Sequence, residues 1–376
     1  MSQPTPPGPG FPPPGGTPSE PTGAPEPYPT APTPAGGWGT PGWPAGGPAP
    51  VVREQLPRRL DGQSYPELHA LGHGSWWRSL VGMFLIGSIG LVTVPVLLGF
   101  LVMIWGIVVD GRSVEDAADW IGVLLEGDPL TPLSLALLLG SLAGTIPVVF
   151  AVQRMLHGLR TGWLNSVVGR MRWRYLAACL GLSVVAMGVT MFLSVVLPST
   201  GNGADEAAAN AFTETTRNFL LVIVLLVPFQ AAAEEYLFRG YLMQAWGGMF
   251  GSHTASKVVA VVGSAVVFAL MHGAQEAPIF IDRLTFGLLA GVLVLVTGGL
   301  EAAIALHVVN NVVAFGFALF FDDITAAMTP SGSTWWQVPV TLVQAALYLA
   351  MAWWLARRMG LRNVTSWPPR EPVLAP

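Results

Sequence analysis

Glu234 and Glu235 adjoin one another and Arg239 follows four residues after Glu235, all inside a run from Phe219 to Trp246 that otherwise reads as membrane-spanning helix. An ionised side chain at that depth costs about 2.5–3.5 kcal/mol on insertion scales, so charges there mark function. Residues four apart share a helix face, which pairs Glu235 with Arg239 as structural support. Glu234 is turned about 100° away from Glu235, has no such partner, and is free to face a cavity. Two neighbouring carboxylates in a low dielectric compete for ionisation, and the unpaired one suits a general base or acid.

The other ionisable or polar groups within the apolar runs are few: His272, Glu301, His307 and, one turn beyond His307, Asn311. Phe268 and His272 are four apart, as are His307 and Asn311, so each pair turns one helix face toward a common point. At 1.5 Å per residue from the arginine-bearing helix ends, Glu234 lies about 18 Å deep, His272 about 21 Å, His307 about 10 Å and Asn311 about 16 Å. All four can meet near the midplane. They supply a base, ring nitrogens to orient a water, and N–H donors for a developing oxyanion, which fits hydrolysis of an acyl group and foremost a peptide bond. Glu301 falls at a helix mouth, where a first-turn carboxylate needs no functional explanation.

The elements that must position these groups are transmembrane helices. Of 376 residues 52% are hydrophobic and only 11% charged, with mean hydropathy +0.55, and the apolar residues fall into long runs. Eight spans are predicted: Leu80 to Val108, Leu130 to Gln153, Tyr175 to Leu197, Phe219 to Trp246, Val258 to Ala277, Ile279 to Thr297, Leu300 to Phe321 and Val338 to Ala356. Pro95 and Pro147 inside spans are tolerated as kinks where neighbours satisfy the freed carbonyls. The fold class is therefore all-α, a polytopic membrane helical bundle. Residues 1–75 are expected to be a disordered Pro/Gly-rich cytoplasmic tail and polar linker, 76–216 the first three spans with a basic loop, 217–321 the catalytic core, and 322–376 the last span and a cytoplasmic tail. No basic stretch followed by an apolar run and cleavage site is seen, so no signal peptide is expected.

Charge sets the expected orientation. On one side of the eight-span arrangement lie 14 basic residues, among them Arg78, Arg154, Arg160, Arg170, Arg172, Arg174, Lys257, Arg357 and Arg362; the other side has only Arg112, Arg217 and Arg283 and most of the acids. The positive-inside rule places both termini in the cytoplasm of an inner or plasma membrane. The single cysteine, Cys179, excludes an internal disulfide framework and reads as a small buried hydrophobe.

Three motifs then resemble a known family. Glu234-Glu235-Tyr236-Leu237-Phe238-Arg239 is similar to the EExxxR motif of the CPBP intramembrane proteases, the group of the type 2 CAAX prenyl proteases and bacterial Abi proteins. Phe268 to His272 resembles their FxxxH motif and His307 to Asn311 their HxxxN motif; the resemblance runs from about Arg217 to Phe321. It implies that Glu234 with His272 activates the attacking water, that His307 and Asn311 stabilise the oxyanion, and that Glu235, Arg239 and Phe268 support the site. It also implies a helical bundle with its cavity open to the cytosol, and a membrane-embedded or lipidated substrate.

Other chemistries fit less well. No histidine pair has HExxH spacing, and Ser264 lies too far along the axis from His272 for a serine dyad. No cofactor is expected; the alternative is zinc held by Glu234, His272 and His307. The alternative functions are a non-catalytic Abi-type scaffold or immunity protein and a proton-coupled transporter, the latter without an evident internal repeat. The expected partners are the lipid bilayer and a membrane protein or lipidated peptide, with no nucleic acid.

Overall fold

In the computed structural model of the chain, the described residues are 62–196, 209–273, 275–328 and 334–366. They lie in one compact unit, Glu54–Pro376. The expected disordered tail falls almost wholly outside them, as do the last ten residues.

Among the described residues eight helices are long and apolar enough to cross a membrane. In chain order we name α1 (Trp76–Val108), the non-spanning α2 (Val114–Glu126), α3 (Pro132–His157), α4 (Trp173–Val196), α5 (Glu214–Gly247), α6 (His253–Leu270), α7 (Ala277–Thr297), α8 (Glu301–Phe321) and α9 (Gln337–Arg358). The eight predicted spans are all present, and no strand forms among the described residues beyond two isolated bridges. Helix α6 stops at Leu270, so His272 sits in the turn that follows rather than within the span expected to run to Ala277.

Local chemistry explains the ends. Ser113 caps α2 by accepting from the Asp116 N–H, and the Thr213 hydroxyl accepts from Thr216 N–H at the start of α5. α7 ends at Gly298, whose φ of 71° favours glycine and whose added Cβ would come within 2.5 Å of the Asn363 backbone. The prolines act where expected. Pro95 opens the second α-helical part of α1 after a π-helical stretch, Ile86–Thr93, and Pro147 follows a break in α3 at Gly144.

The helices pack as neighbours α3 on α5, α5 on α8, α8 on α4, α4 on α9, α9 on α7 and α7 on α6. Two segments expected as solvated connections are part of this body. Tyr65–Leu71, in the predicted polar linker, forms a 3-10 helix with Tyr65 and Leu68 fully buried. The basic loop after α3 folds back across the bundle end and buries Trp163 and Leu164. These aromatic and aliphatic residues, sparse among polar neighbours, close the core instead of leaving it open.

Candidate active site

The site is built where α5 changes pitch. Glu234 and Glu235 are the last residues of its α-helical part, and Tyr236–Leu242 continue as π-helix, an irregularity that often marks functional positions. Arg239 and Glu235 are both fully buried, and Arg239 Nη1 donates to Glu235 Oε1 at 2.8 Å. A lone charge there would carry a penalty of several kcal/mol, so each ion requires the other. The Arg239 guanidinium also lies 4.2 Å from the centre of the Phe268 ring and 5.8 Å from that of Phe286, a cation–π arrangement that helps a buried cation.

Glu235 has a second tie that spacing did not reveal. His307 Nδ1 donates to the same Oε1 at 2.7 Å. With the proton on Nδ1, the Nε2 of neutral His307 presents its lone pair toward Glu234, whose Oε2 is 3.5 Å away. Glu235 thus fixes the tautomer of His307 as well as anchoring Arg239. Phe268 and Phe286 set their rings edge-on to His307 at 5.9 and 5.2 Å between centres, limiting its rotation.

Gln230, one turn before Glu234, was not singled out by the sequence. Its Nε2 donates to Glu234 Oε1 at 2.5 Å while its Oε1 accepts from Asn311 Nδ2 at 3.2 Å. One amide therefore orients the carboxylate on α5 and the carboxamide on α8 together. Its only sequence signal was the four-residue spacing to Glu234. The other oxygen, Glu234 Oε2, is buried and has no hydrogen-bond partner. His272 Nδ1 donates to the Phe268 carbonyl at 2.8 Å, which leaves its Nε2 as an acceptor.

All four predicted catalytic side chains, Glu234, His272, His307 and Asn311, line one cavity of about 660 Å³, together with Gln230, Phe268 and Phe286. Asp282 and Arg283 add one charge of each sign to its wall; Arg283 Nη1 donates to Gln275 Oε1 at 2.7 Å. Glu235 and Arg239 stand behind the wall, not on it. Residues 216–313 match the type II CAAX prenyl endopeptidase family, Rce1-like. The matched segment contains all three motifs and every site residue named so far, and the family it is similar to is one of endopeptidases. The chain is also similar to the uncharacterized protein YyaK of Bacillus subtilis (strain 168), 22% identical over 306 residues that make up 76% of this chain and 94% of that protein. No solved structure matches it.

A zinc ion is the alternative cofactor for this donor set. Among the described residues no three His, Cys, Asp or Glu side chains gather closely enough to hold a metal ion. As arranged, the donors of the matched segment do not come together as a zinc centre.

The resemblance led to the expectation of a cavity open on the arginine-rich side, and the packing differs. That end is closed beneath the site. Tyr236 Oη donates to Asn165 Oδ1 at 2.7 Å, Gln244 Nε2 to the Trp163 carbonyl at 2.8 Å, and Leu300 N–H to the Asn165 carbonyl at 2.8 Å. Arg172 clasps Glu301 with Nε and Nη2 at 2.8 and 2.6 Å and gives Nη1 to the Thr297 carbonyl at 2.9 Å. Glu301, expected only to sit at a helix mouth, is the buried half of that clamp, and the arginine loop is the lid that buries it.

Proposed function

We propose that this chain is an intramembrane endopeptidase that hydrolyses a peptide bond of a membrane-embedded or lipid-anchored protein, using water activated by glutamate. The observation that carries the reading is the convergence on one cavity of a buried carboxylate oxygen without a hydrogen bond, Glu234 Oε2, with His272, His307 and Asn311. Glu234 Oε2 takes a proton from water held against His272 Nε2, and the oxygen of that water bonds to the scissile carbonyl carbon. The carbonyl π pair moves onto oxygen, where Asn311 Nδ2 donates to it and His307, in the state with a proton on Nε2, donates beside it. Collapse of the tetrahedral adduct breaks the C–N bond, and Glu234 returns its proton to the departing amine. Gln230 keeps base and oxyanion donor in register.

The arginine distribution supports a cytoplasmic position for both termini. Purified Glu234→Gln and Asn311→Ala variants, reconstituted with membrane peptides, test the reading. Losing a positioned base lowers turnover about 10²–10⁴-fold and losing one oxyanion donor about 10²–10³-fold, with thermal unfolding unchanged. Unaltered cleavage in Glu234→Gln would exclude this mechanism, and absence of any cleavage by the parent chain against a broad membrane-peptide set would favour a scaffold.

A further inference from the structure

The direction in which the catalytic cavity opens, set against the charge of the two bundle ends, says where its substrate must come from. Along α8 every residue from Glu301 to His307 is buried, and from Val308 to Val313 the helix is half-buried. The cavity therefore begins at His307 and extends toward the Phe321 end. Its remaining walls agree. Leu138 lies near the first turn of α3, Thr341 near the first turn of α9, Phe315 in the second half of α8, and Met271, Gly273 and Met328 in the turns that follow α6 and α8. Each of these positions belongs to the end of the bundle that carries few arginines. Met271 is 52% exposed, and His272 and Gly273 beside it are also exposed, so the catalytic turn is at the mouth.

The opposite end offers no route. Among the described residues none from 158–172 or 359–366, the two segments that cover the arginine-rich end, lines this cavity. Beneath the site that end buries Tyr65, Leu164 and Leu300 fully and is closed by the Arg172–Glu301 clamp. Opening a path there would break that buried ion pair. The arginine-rich end is the cytoplasmic one by the positive-inside rule.

We propose that the cavity takes its substrate from the extracytoplasmic side: a peptide segment exposed on, or anchored in, the outer half of the bilayer, reaching Glu234 past His272. This rests on the protease reading for what happens to the peptide, not for how it enters. The apolar wall made by Leu138, Leu142, Phe315 and Met328 suits an acyl chain or an apolar transmembrane end beside the scissile bond. Arg283, a cation on that wall with Asp282 beside it, faces the peptide's polar groups. The product released outward is a shortened, exported peptide or protein, so the step that supplies this substrate is translocation or lipid attachment across the membrane.

Accessibility of single cysteines separates entry from catalysis. Native Cys179 is buried and serves as the background. Asn310→Cys and Leu138→Cys place thiols in the cavity wall outside the catalytic groups, and Arg170→Cys places one on the exposed arginine-rich end. A charged, membrane-impermeant maleimide applied to right-side-out and to inverted vesicles reads the side of each. Both cavity cysteines are expected to label in right-side-out vesicles and lose labelling in inverted ones, while Arg170→Cys does the reverse. Labelling of the cavity cysteines on the same side as Arg170→Cys, an inverted pattern for all three, or cavity cysteines silent from both sides while Arg170→Cys reacts would each overturn the proposal. Outward labelling together with a parent chain that cleaves nothing would instead remove the protease reading and leave the outward-facing cavity standing.

Discussion

Gln230 is the residue on which the geometry of the site turns. Its amide links the carboxylate of Glu234 to the side chain of Asn311, which stand on different helices. Gln230→Ala is expected to fold, because the part-buried network loses two hydrogen bonds worth about 0.5–1.5 kcal/mol each. Its turnover should nevertheless fall by about 10²-fold, since displacing a reacting group by about an ångström has that effect. Kinetics of the variant beside its melting curve check this; a fall in melting temperature that accounts for the lost activity would mean Gln230 is only structural. Glu235 marks the contrast. Its removal leaves Arg239 buried without its partner and frees His307, so Glu235→Gln is expected to lose stability and activity together. From sequence, the four residue types and their helical phase were legible because intramembrane charge is rare. Gln230 was not, since a neutral amide in an apolar run has no comparable cost, and Glu235 was read only as Arg239's partner because its contact with His307 spans 72 residues.

At the scale of elements, the clamp between the loop after α3 and the start of α8 decides whether the site has a floor. Arg172 and Glu301 are paired with side-chain exposures of 8% and 0%, and Arg172 also holds the end of α7 through Thr297. Truncating one partner strands the other in the core, so Arg172→Ala and Glu301→Ala are each expected to destabilise by about 3–5 kcal/mol. Replacing both with apolar residues of similar volume should restore much of that loss, as buried pairs commonly behave. Denaturant unfolding in detergent micelles measures all three, and single variants that unfold like the parent chain would show that the clamp does not secure this end. The span positions were readable from hydropathy because a bilayer imposes length. The lid over the arginine-rich end was not readable, since its few apolar residues, Trp163 and Leu164, are isolated in a basic stretch whose charge already has an explanation in topology. Helix α2 was hidden for the same reason, its acids marking it as a connecting loop although Ser113 caps it and Ala117 and Leu124 are buried.

Across the whole molecule, the 3-10 helix before α1 ties the chain's start to the helix that carries the site. His69 on that helix is buried, stacks on His157 at 3.8 Å between ring centres, and donates Nε2–H to Gln153 Oε1 at 2.8 Å; His157 in turn meets Tyr241, two residues beyond Arg239. Burial first, and then the adjacent His157, hold His69 well below its ordinary pKa of 6.5, against the opposing hydrogen bond from Gln153. The sign of the linkage follows. Above 6.5 both the folded and the unfolded chain carry neutral His69, and its contribution to stability is complete. Below 6.5 the unfolded chain gains a proton that the folded chain refuses, so stability falls as pH falls toward the depressed folded value. Melting temperature in detergent is therefore expected to drop from pH about 7.5 to about 5.5, and His69→Gln should flatten that slope because the proton-linked group is gone while an amide can still donate to Gln153. Were the slope the same with and without His69, the titrating group would lie elsewhere. Because His157 and Tyr241 connect this pair to the π-helical turn after Glu235, acid that loosens His69 should also lower peptide cleavage before the chain unfolds, an effect that parallel activity and melting profiles of the parent and His69→Gln forms check.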